Sequence, residues 1–326
     1  MATSPTRPPL TRAAFLRNAA AFVALPVALQ VARAVPAHAA SAFGVTNIAP
    51  GVFVHQGVHA VQAPDNGGNI ANASFVVGRD AVAVIDTSGS AKLGTDLLAA
   101  IRATTDRPVR YVINTHMHPD HVLGNAPFQS ENTAFVAHHK MARGLAARAQ
   151  GYLEGNKRMI GDAAFEGTTI VPPTIPVTGR LTLDLGGRTL LCEAHPTAHT
   201  DNDLTVFDTQ TQTLFLGDLL FSGHIPTLDG SIRGWIAVLA RLEAEQKAAR
   251  VVPGHGAASL SWPEALAPIE HYLAIVASDV RRMITEGKTL SEASETAGFT
   301  EKSAWLLFDD YHRRNVAAAF AELEWE

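Results

Sequence analysis

Short apolar runs broken by turn residues organise the chain beyond residue 45. Positions 51–55, 73–77 and 81–85 are runs of five rich in Val, Phe and Ile, the length and composition of strands. The Gly- and Asn-rich stretch 65–72 separates the first two and predicts a turn or mobile loop. Residues 93–102 carry apolar positions at helical spacing, and 109–113 predict a buried strand that runs straight into a histidine-rich segment. Another short strand is predicted at 134–137, followed by a long alanine-rich helix over about 139–163.

The second half repeats this order. Residues 181–185 and 188–192 predict a hairpin around Gly186-Gly187, and 204–207 and 214–216 predict strands around the polar turn 208–213. A strand at 248–252 ends at Pro253-Gly254-His255-Gly256. From about Trp262 the chain predicts helices, with Pro263 near a start and Gly287 as a stop, and 315–324 shows helical spacing. Two β-rich halves, each followed by helices, predict an α/β fold of two sheets packed face to face with helices outside. No tandem repeat or linker divides 41–326, which is expected to fold as a single domain.

Residues 1–40 do not share this pattern. They carry Arg7, Arg12, Arg17 and Arg33 but no acid, then an apolar run over 19–29, then Ala37-His38-Ala39. Basic, apolar and small-residue regions in that order predict a secretory signal, and hence a periplasmic or secreted protein. The run is shorter than the ~20 apolar residues that span a bilayer, so no stable membrane insertion is expected once it is removed. Thr11–Arg17 resembles a twin-arginine export motif, but Ala13 stands where the second arginine belongs, which leaves the export pathway open. Losing these four arginines takes the formal charge from −5 to −9. An acidic chain with no Lys/Arg cluster has no electrostatic footprint for nucleic acid, so no nucleic-acid partner is expected. Cys192 is the single cysteine, which excludes an intrachain disulfide, and its apolar strand makes it a small core residue.

The chemistry concentrates at His116-Met117-His118-Pro119-Asp120-His121, where four metal-competent side chains occupy six positions. Zinc favours imidazole and carboxylate ligands. Alternation along an extended segment puts His116 and His118 on one face, and a following turn brings Asp120 and His121 to an adjacent position. Three distant residues also lie just after apolar runs: His199, Asp218 and His255. All could converge at one edge of a sheet sandwich.

This ordered set resembles the metallo-β-lactamase-fold hydrolases, and the resemblance covers about Asn47 to Trp262. It implies an αββα sandwich of two mixed β-sheets flanked by helices, with Asp86 after Val84-Ile85 matching the family's structural aspartate. It further implies two zinc ions per chain. His116, His118 and His199 would bind one, Asp120, His121 and His255 the other, and Asp218 would bridge them. An aspartate at 218 resembles the glyoxalase II-like hydrolases. True β-lactamases of the fold carry cysteine or serine there, so β-lactamase activity is disfavoured. The stretches His195–Asp203, Gly217–Phe221 and Phe320–Glu326 are similar to a periplasmic subgroup, the quinoprotein relay system zinc metallohydrolases. That name reflects association with pyrroloquinoline-quinone dehydrogenases and assigns no substrate.

The resemblance therefore implies an exported di-zinc hydrolase whose metal-bridging hydroxide attacks a small ester, thioester or lactone, in functional association with a quinoprotein dehydrogenase. Asp120, with a second carboxylate oxygen, is expected to orient that hydroxide and move its proton. Two other readings stay open: an iron-containing redox enzyme of the same fold, and a non-catalytic metal-binding accessory protein for such a dehydrogenase. His118 speaks against the first, since di-iron relatives carry glutamate there. His195, four residues before His199, is expected to orient a ligand from behind. Asp201 and Asp203 would do the same or cap a turn. His224, close after Asp218, would face substrate or lie in a surface loop, and His138 and His139 read as structural.

Overall fold

The apolar residues of single strands divide between two faces, and that division builds the layers. The computed structural model describes Met1, residues 43–129 and residues 132–326. Apart from Met1, the expected secretory signal at 1–40 lies outside the described residues. One sheet holds, in spatial order, β1 (Thr46–Ala49), β2 (Val52–His55), β3 (Ala73–Val77), β4 (Val82–Ile85), β5 (Val109–Ile113), β6 (Ala134–His138) and β7 (Ile175–Val177). It is antiparallel up to β4 and parallel from β4 to β7. The other holds β8 (Arg180–Asp184), β9 (Thr189–Ala194), β10 (Leu204–Asp208), β11 (Thr213–Phe221), β12 (Arg250–His255) and β13 (Leu260–Ser261), with β11 and β12 its one parallel pair. The helices are α1 (Ala91–Thr104), α2 (Pro119–Val122), α3 (Met141–Ile160), α4 (Asp162–Phe165), α5 (Ile232–Glu245), α6 (Ala267–Thr285), α7 (Leu290–Thr296) and α8 (Phe308–Leu323).

In β4, Ala83 and Ile85 join Val206 and Phe215 in the layer between the sheets, while Val82 and Val84 cluster with Leu97 and Ile101 of α1. In β11, Phe215 faces that inner layer, and Leu214 and Leu216 cluster with Trp235 and Leu239 of α5 and with residues of α6 and α8. A two-residue period on each strand thus yields helix, sheet, sheet, helix. This is the αββα sandwich expected from the sequence.

Local departures have physical reasons. The predicted helix over 139–163 is interrupted at Gly161, whose φ of +85° leaves the right-handed region. The strand expected over 214–216 continues to Phe221, so Asp218 lies within β11 rather than after it. Gly217, at φ +52°, bulges there and shifts the register against β12 on both sides. Strands β1, β7 and β13 have no counterpart in the sequence reading; they are edge strands of four, three and two residues, too short to show a period.

One buried cation clasps the two sheets. Arg188, in the β8–β9 connection, donates from Nε and Nη2 to both oxygens of Asp208, at 3.0 and 2.6 Å. Its Nη1 reaches the carbonyls of Pro50, in the β1–β2 turn, and of Val77 in β3, each at 3.0 Å. Both charged side chains are almost fully buried. Arg188→Met leaves the Asp208 carboxylate without its partner and should lower unfolding stability by about 3–5 kcal/mol in urea denaturation. Arg188→Met/Asp208→Leu should recover part of that loss, because no charge is then left unpaired. A loss below about 1 kcal/mol for the single variant would show that the clasp is not structural.

Candidate metal centre

The strand ends of both sheets deliver the site. His116 and His118 lie in the link between β5 and α2, and Asp120 and His121 occupy the first turn of α2 after Pro119. Met117 sits between the two histidines and packs with Leu123, Met141 and Leu145, as the alternation predicts. His199 is in the β9–β10 connection, Asp218 lies in β11, and His255 is the last residue of β12.

All seven expected side chains come together. One group is His116, His118, His199 and Asp218, and a second is Asp120, His121 and His255; within each, one ligand-capable atom per residue lies within 4.8 Å of the others. Asp218 stands between the groups. Its Oδ2 is 3.6 Å from His116 Nε2, 3.5 Å from His199 Nε2 and 3.4 Å from His255 Nε2, and its Oδ1 is 3.1 Å from His121 Nε2.

Each imidazole is held from behind, which fixes the nitrogen it turns toward the centre. His121 Nδ1 donates to Asp86 Oδ2 at 2.9 Å, and Asp86 also accepts from the Thr115 amide and hydroxyl. The Thr115 hydroxyl, having donated to Asp86, accepts from His116 Nδ1 at 3.0 Å. His199 Nδ1 donates to the Thr227 carbonyl at 2.7 Å, and His255 Nδ1 to the Ile70 carbonyl at 2.9 Å. His118 Nε2 donates to Asp229 Oδ2 at 3.1 Å. The inward atoms are therefore Nδ1 of His118 and Nε2 of the other four.

Among the seven residues of the centre, two buried atoms lack any hydrogen bond: His116 Nε2 and Asp218 Oδ1, whose 3.1 Å approach to His121 lacks hydrogen-bond geometry. An unpaired buried polar atom costs about 1–3 kcal/mol. A ligand at the centre removes that cost. Five imidazole nitrogens and two carboxylates are the donor set that divalent zinc accepts, so the residues fit a metal pair.

The electrostatics follow from crowding. Burial works to raise the Asp218 pKa, but the charges of His121, His255 and His116 outweigh it and hold the carboxyl well below its usual range. Burial likewise works against Asp120, and His121 and His255 again win, so it too stays ionised. Burial lowers His116, with His121 adding repulsion, and takes His199 down to about 3. His121 and His255 go the other way. Burial opposes their charge, yet Asp218 and Asp120 raise His121 well above its usual value and His255 to about 9. A metal needs the unprotonated nitrogen, so it must displace these protons. Zinc titrated into the metal-free protein at pH 7 should release about two protons per chain, and apparent affinity should rise with pH as His121 and His255 lose their protons. Calorimetry in buffers of different ionisation enthalpy reads this directly; no proton release at pH 7 would contradict it.

The remaining expected residues separate clearly. His195 is buried between Arg241 Nη2, at 2.6 Å, and Thr205 Oγ1, at 2.8 Å, and among the described residues makes no hydrogen bond to a residue of the centre. The expectation that it supports a ligand is corrected. Its ring turns to the β10 side chain and to α5 rather than to His199. Asp201 accepts from Asn202 and lies 3.9 Å from Arg143, away from the centre. Asp203 caps the turn after His199, accepting from the Thr200 amide and hydroxyl. His224 faces the site: it lines the cavity above it, and its ring stacks on those of His255 and Phe221.

That cavity, of about 540 Å³, is floored by Asp120, Asp218 and His255. Sequence reasoning missed Asp229, which holds His118 from 111 positions away, and the cavity residues Arg148, Tyr152, Tyr311 and Arg314. Nothing in their local sequence marks them. The loop at 65–72 is also more than a connection, since Ile70 holds His255 and Asn72 Nδ2 donates to the Pro253 carbonyl.

Over 208 residues the chain is 24% identical to a linear primary-alkylsulfatase of Pseudomonas sp. (strain ATCC 19151), a match covering 53% of this chain and 39% of that enzyme. The chain thus spans about two fifths of that relative's length. A metallo-beta-lactamase from Pontibacter korlensis superposes with a TM-score of 0.58 at 22% identity, covering 71% of this chain and 98% of that one. The stereoselective inverting sec-alkylsulfatase Pisa1 from Pseudomonas sp. gives 0.62 at 15% identity, covering 85% of this chain and 49% of that one. These structural likenesses establish the fold alone. The family model of the metallo-beta-lactamase superfamily matches residues 66–255, more than half the chain and all seven residues of the centre, and the protein belongs to that superfamily.

Proposed function

We propose that this protein is an exported hydrolase that works with two zinc ions on a small ester, thioester or lactone, in functional association with a quinoprotein dehydrogenase system. The observation that carries the hydrolase reading is Asp218 standing between two groups of metal-competent side chains beneath an open cavity. Export rests on residues 1–40, and the dehydrogenase association on the resemblance of His195–Asp203, Gly217–Phe221 and Phe320–Glu326 to the relay subgroup.

His116, His118, His199 and Asp218 would hold one ion, and Asp120, His121 and His255 the second, with Asp218 shared. Bound zinc supplies Lewis acidity, bringing the pKa of water down to about 7 and polarising a substrate oxygen. The chain's own residues do the rest. Asp86, Thr115, Asp229 and the Thr227 and Ile70 carbonyls fix the five rings, so no reorganisation accompanies the reaction. Asp120 lines the cavity as an ionised carboxylate. Its Oδ2 faces His255 and His121, while Oδ1 has no hydrogen bond or ion pair among the described residues. Oδ1 is thus the atom that takes the proton of the attacking water and returns it to the leaving group. Phe221 and His224 line the same cavity.

Sulfate-ester hydrolysis is a second reading, favoured by the sequence likeness to linear primary-alkylsulfatase. The test pairs elemental analysis of the purified protein with a screen of esters, thioesters, lactones, primary alkyl sulfates and β-lactams, for the natural protein and Asp120→Asn. About two zinc ions per chain and turnover lost in Asp120→Asn with metal retained support the proposal. Bound iron in place of zinc redirects it to redox chemistry, and bound zinc with no turnover on any of these substrates leaves an accessory role.

A further inference from the structure

Two helices contribute walls to the cavity. Helix α3 contributes Arg148 and Tyr152, and α8, beyond the segment that matches the family, contributes Tyr311 and Arg314. Both guanidiniums lean on one carboxylate. Arg148 Nη2 lies 3.5 Å from Asp229 Oδ2, and Arg314 Nη2 lies 3.6 Å from Asp229 Oδ1. Charge-assisted hydrogen bonds run to about 2.7–2.9 Å, so Asp229 does not consume these donors. Its own hydrogen bond is with His118. Arg148 otherwise donates to the Met117 sulfur at 3.1 Å, a weak acceptor, and Arg314 makes no hydrogen bond to the protein among the described residues. The two side chains are 43% and 62% exposed.

Asp310, one turn before Arg314 on α8, lines the same cavity and forms no ion pair there among the described residues. The four charges of the rim therefore cancel in number. What distinguishes the rim is position: guanidiniums from two helices approach the same point, neither hydrogen-bonded to a carboxylate there, and a planar fork of that kind matches one. Asp229 touches both the arginines and His118, so this donor set lies one side chain from the metal centre. Tyr152, Tyr311 and Met159 supply apolar surface beside it.

We propose that Arg148 and Arg314 bind a carboxylate carried by the substrate at the end remote from its scissile bond, so that the substrate class is small amphiphilic acids. This deepens the hydrolase reading and rests on it for the chemistry at the other end. Adipate and hexanoate, equal in carbon number and differing by one carboxylate, probe it by calorimetric titration of the zinc-loaded protein. One carboxylate can meet the metal centre in both, and only adipate has a second for the arginines.

The natural protein should bind adipate at least about tenfold more tightly than hexanoate. That ratio should fall to about one in Arg148→Ala/Arg314→Ala and stay intermediate in Arg314→Lys, which keeps the charge but loses the fork. An unchanged ratio in the double variant, or no preference in the natural protein, overturns the proposal. Should the double variant fail to fold, Arg314→Ala alone gives the same decision from an exposed helix position. The readout does not need turnover. A preference for the diacid without hydrolysis of any tested substrate keeps the carboxylate subsite and rejects the hydrolase reading, whereas hydrolysis without the preference does the reverse.

Discussion

Asp218→Asn is expected to leave the protein with about one metal ion per chain or fewer, and to reduce turnover by well over the roughly hundredfold that follows loss of an outer partner of a metal ligand. The side chain is 3% exposed, and its two oxygens face His116, His121, His199 and His255. Its negative charge would let two divalent ions approach one another. An amide keeps the shape and removes the charge, and its NH₂ group has no lone pair to offer a metal where one carboxylate oxygen now stands. The same substitution removes the main influence raising His121 and His255, so zinc binding at pH 7 should release fewer protons than in the natural protein. Metal content after dialysis and steady-state turnover on any substrate identified by the screen measure the effect. Two retained ions with turnover within tenfold of the natural protein would show that Asp218 is not shared between them.

How much of this was legible in the sequence depended on distance along the chain. His116, His118, Asp120 and His121 were readable because their geometry is local: a strand ends, an extended link alternates, and Pro119 opens a helical turn. His199, Asp218 and His255 were readable only as metal-competent residues near apolar runs. Their convergence needed the sandwich, and even then Asp218 was placed after its strand. The bulge that keeps it inside β11 is a property of Gly217's backbone, which no apolar pattern records.

The supporting residues were illegible for a different reason. Asp229 sits in Thr227-Leu228-Asp229-Gly230, which reads as an ordinary turn, yet that segment holds His118 through its carboxylate and His199 through the Thr227 carbonyl. Arg148 and Arg314 occupy exposed helix positions, where a charge normally means a solvated face. His195 failed in the opposite direction. Its spacing from His199 suggested support, but β9 ends just before it and its ring turns toward Thr205 and Arg241. Local spacing fixes which side chains can share a point; the partners that orient them come from whatever the fold packs behind, and that is a long-range property.

Gly254→Ala tests whether the centre is also a packing constraint of the fold. A Cβ at residue 254 would overlap Asp218 Oδ1, and would stand 2.8 Å from the Gly217 carbonyl carbon and 2.9 Å from the Asp218 amide nitrogen. Neither neighbour can yield cheaply. Asp218 is enclosed by four histidines, and the Gly217 backbone pairs with Pro253 in the parallel β11–β12 ladder. Overpacking a well-filled interior costs about 1–3 kcal/mol, and here the atom displaced is a charged oxygen, so a loss of about 3 kcal/mol is expected. Gly179→Ala, with nothing within 4 Å of its added carbon, should stay within about 0.5 kcal/mol of the natural protein. Zinc should raise the melting temperature of the natural protein because it binds the folded state, and that increment should shrink or vanish in Gly254→Ala. A variant that melts normally and gains the full increment would mean that β12 can move away from Asp218 at no cost. The close approach of the two strands would then be incidental to the centre rather than the means by which the sheet fixes the Asp218 carboxylate.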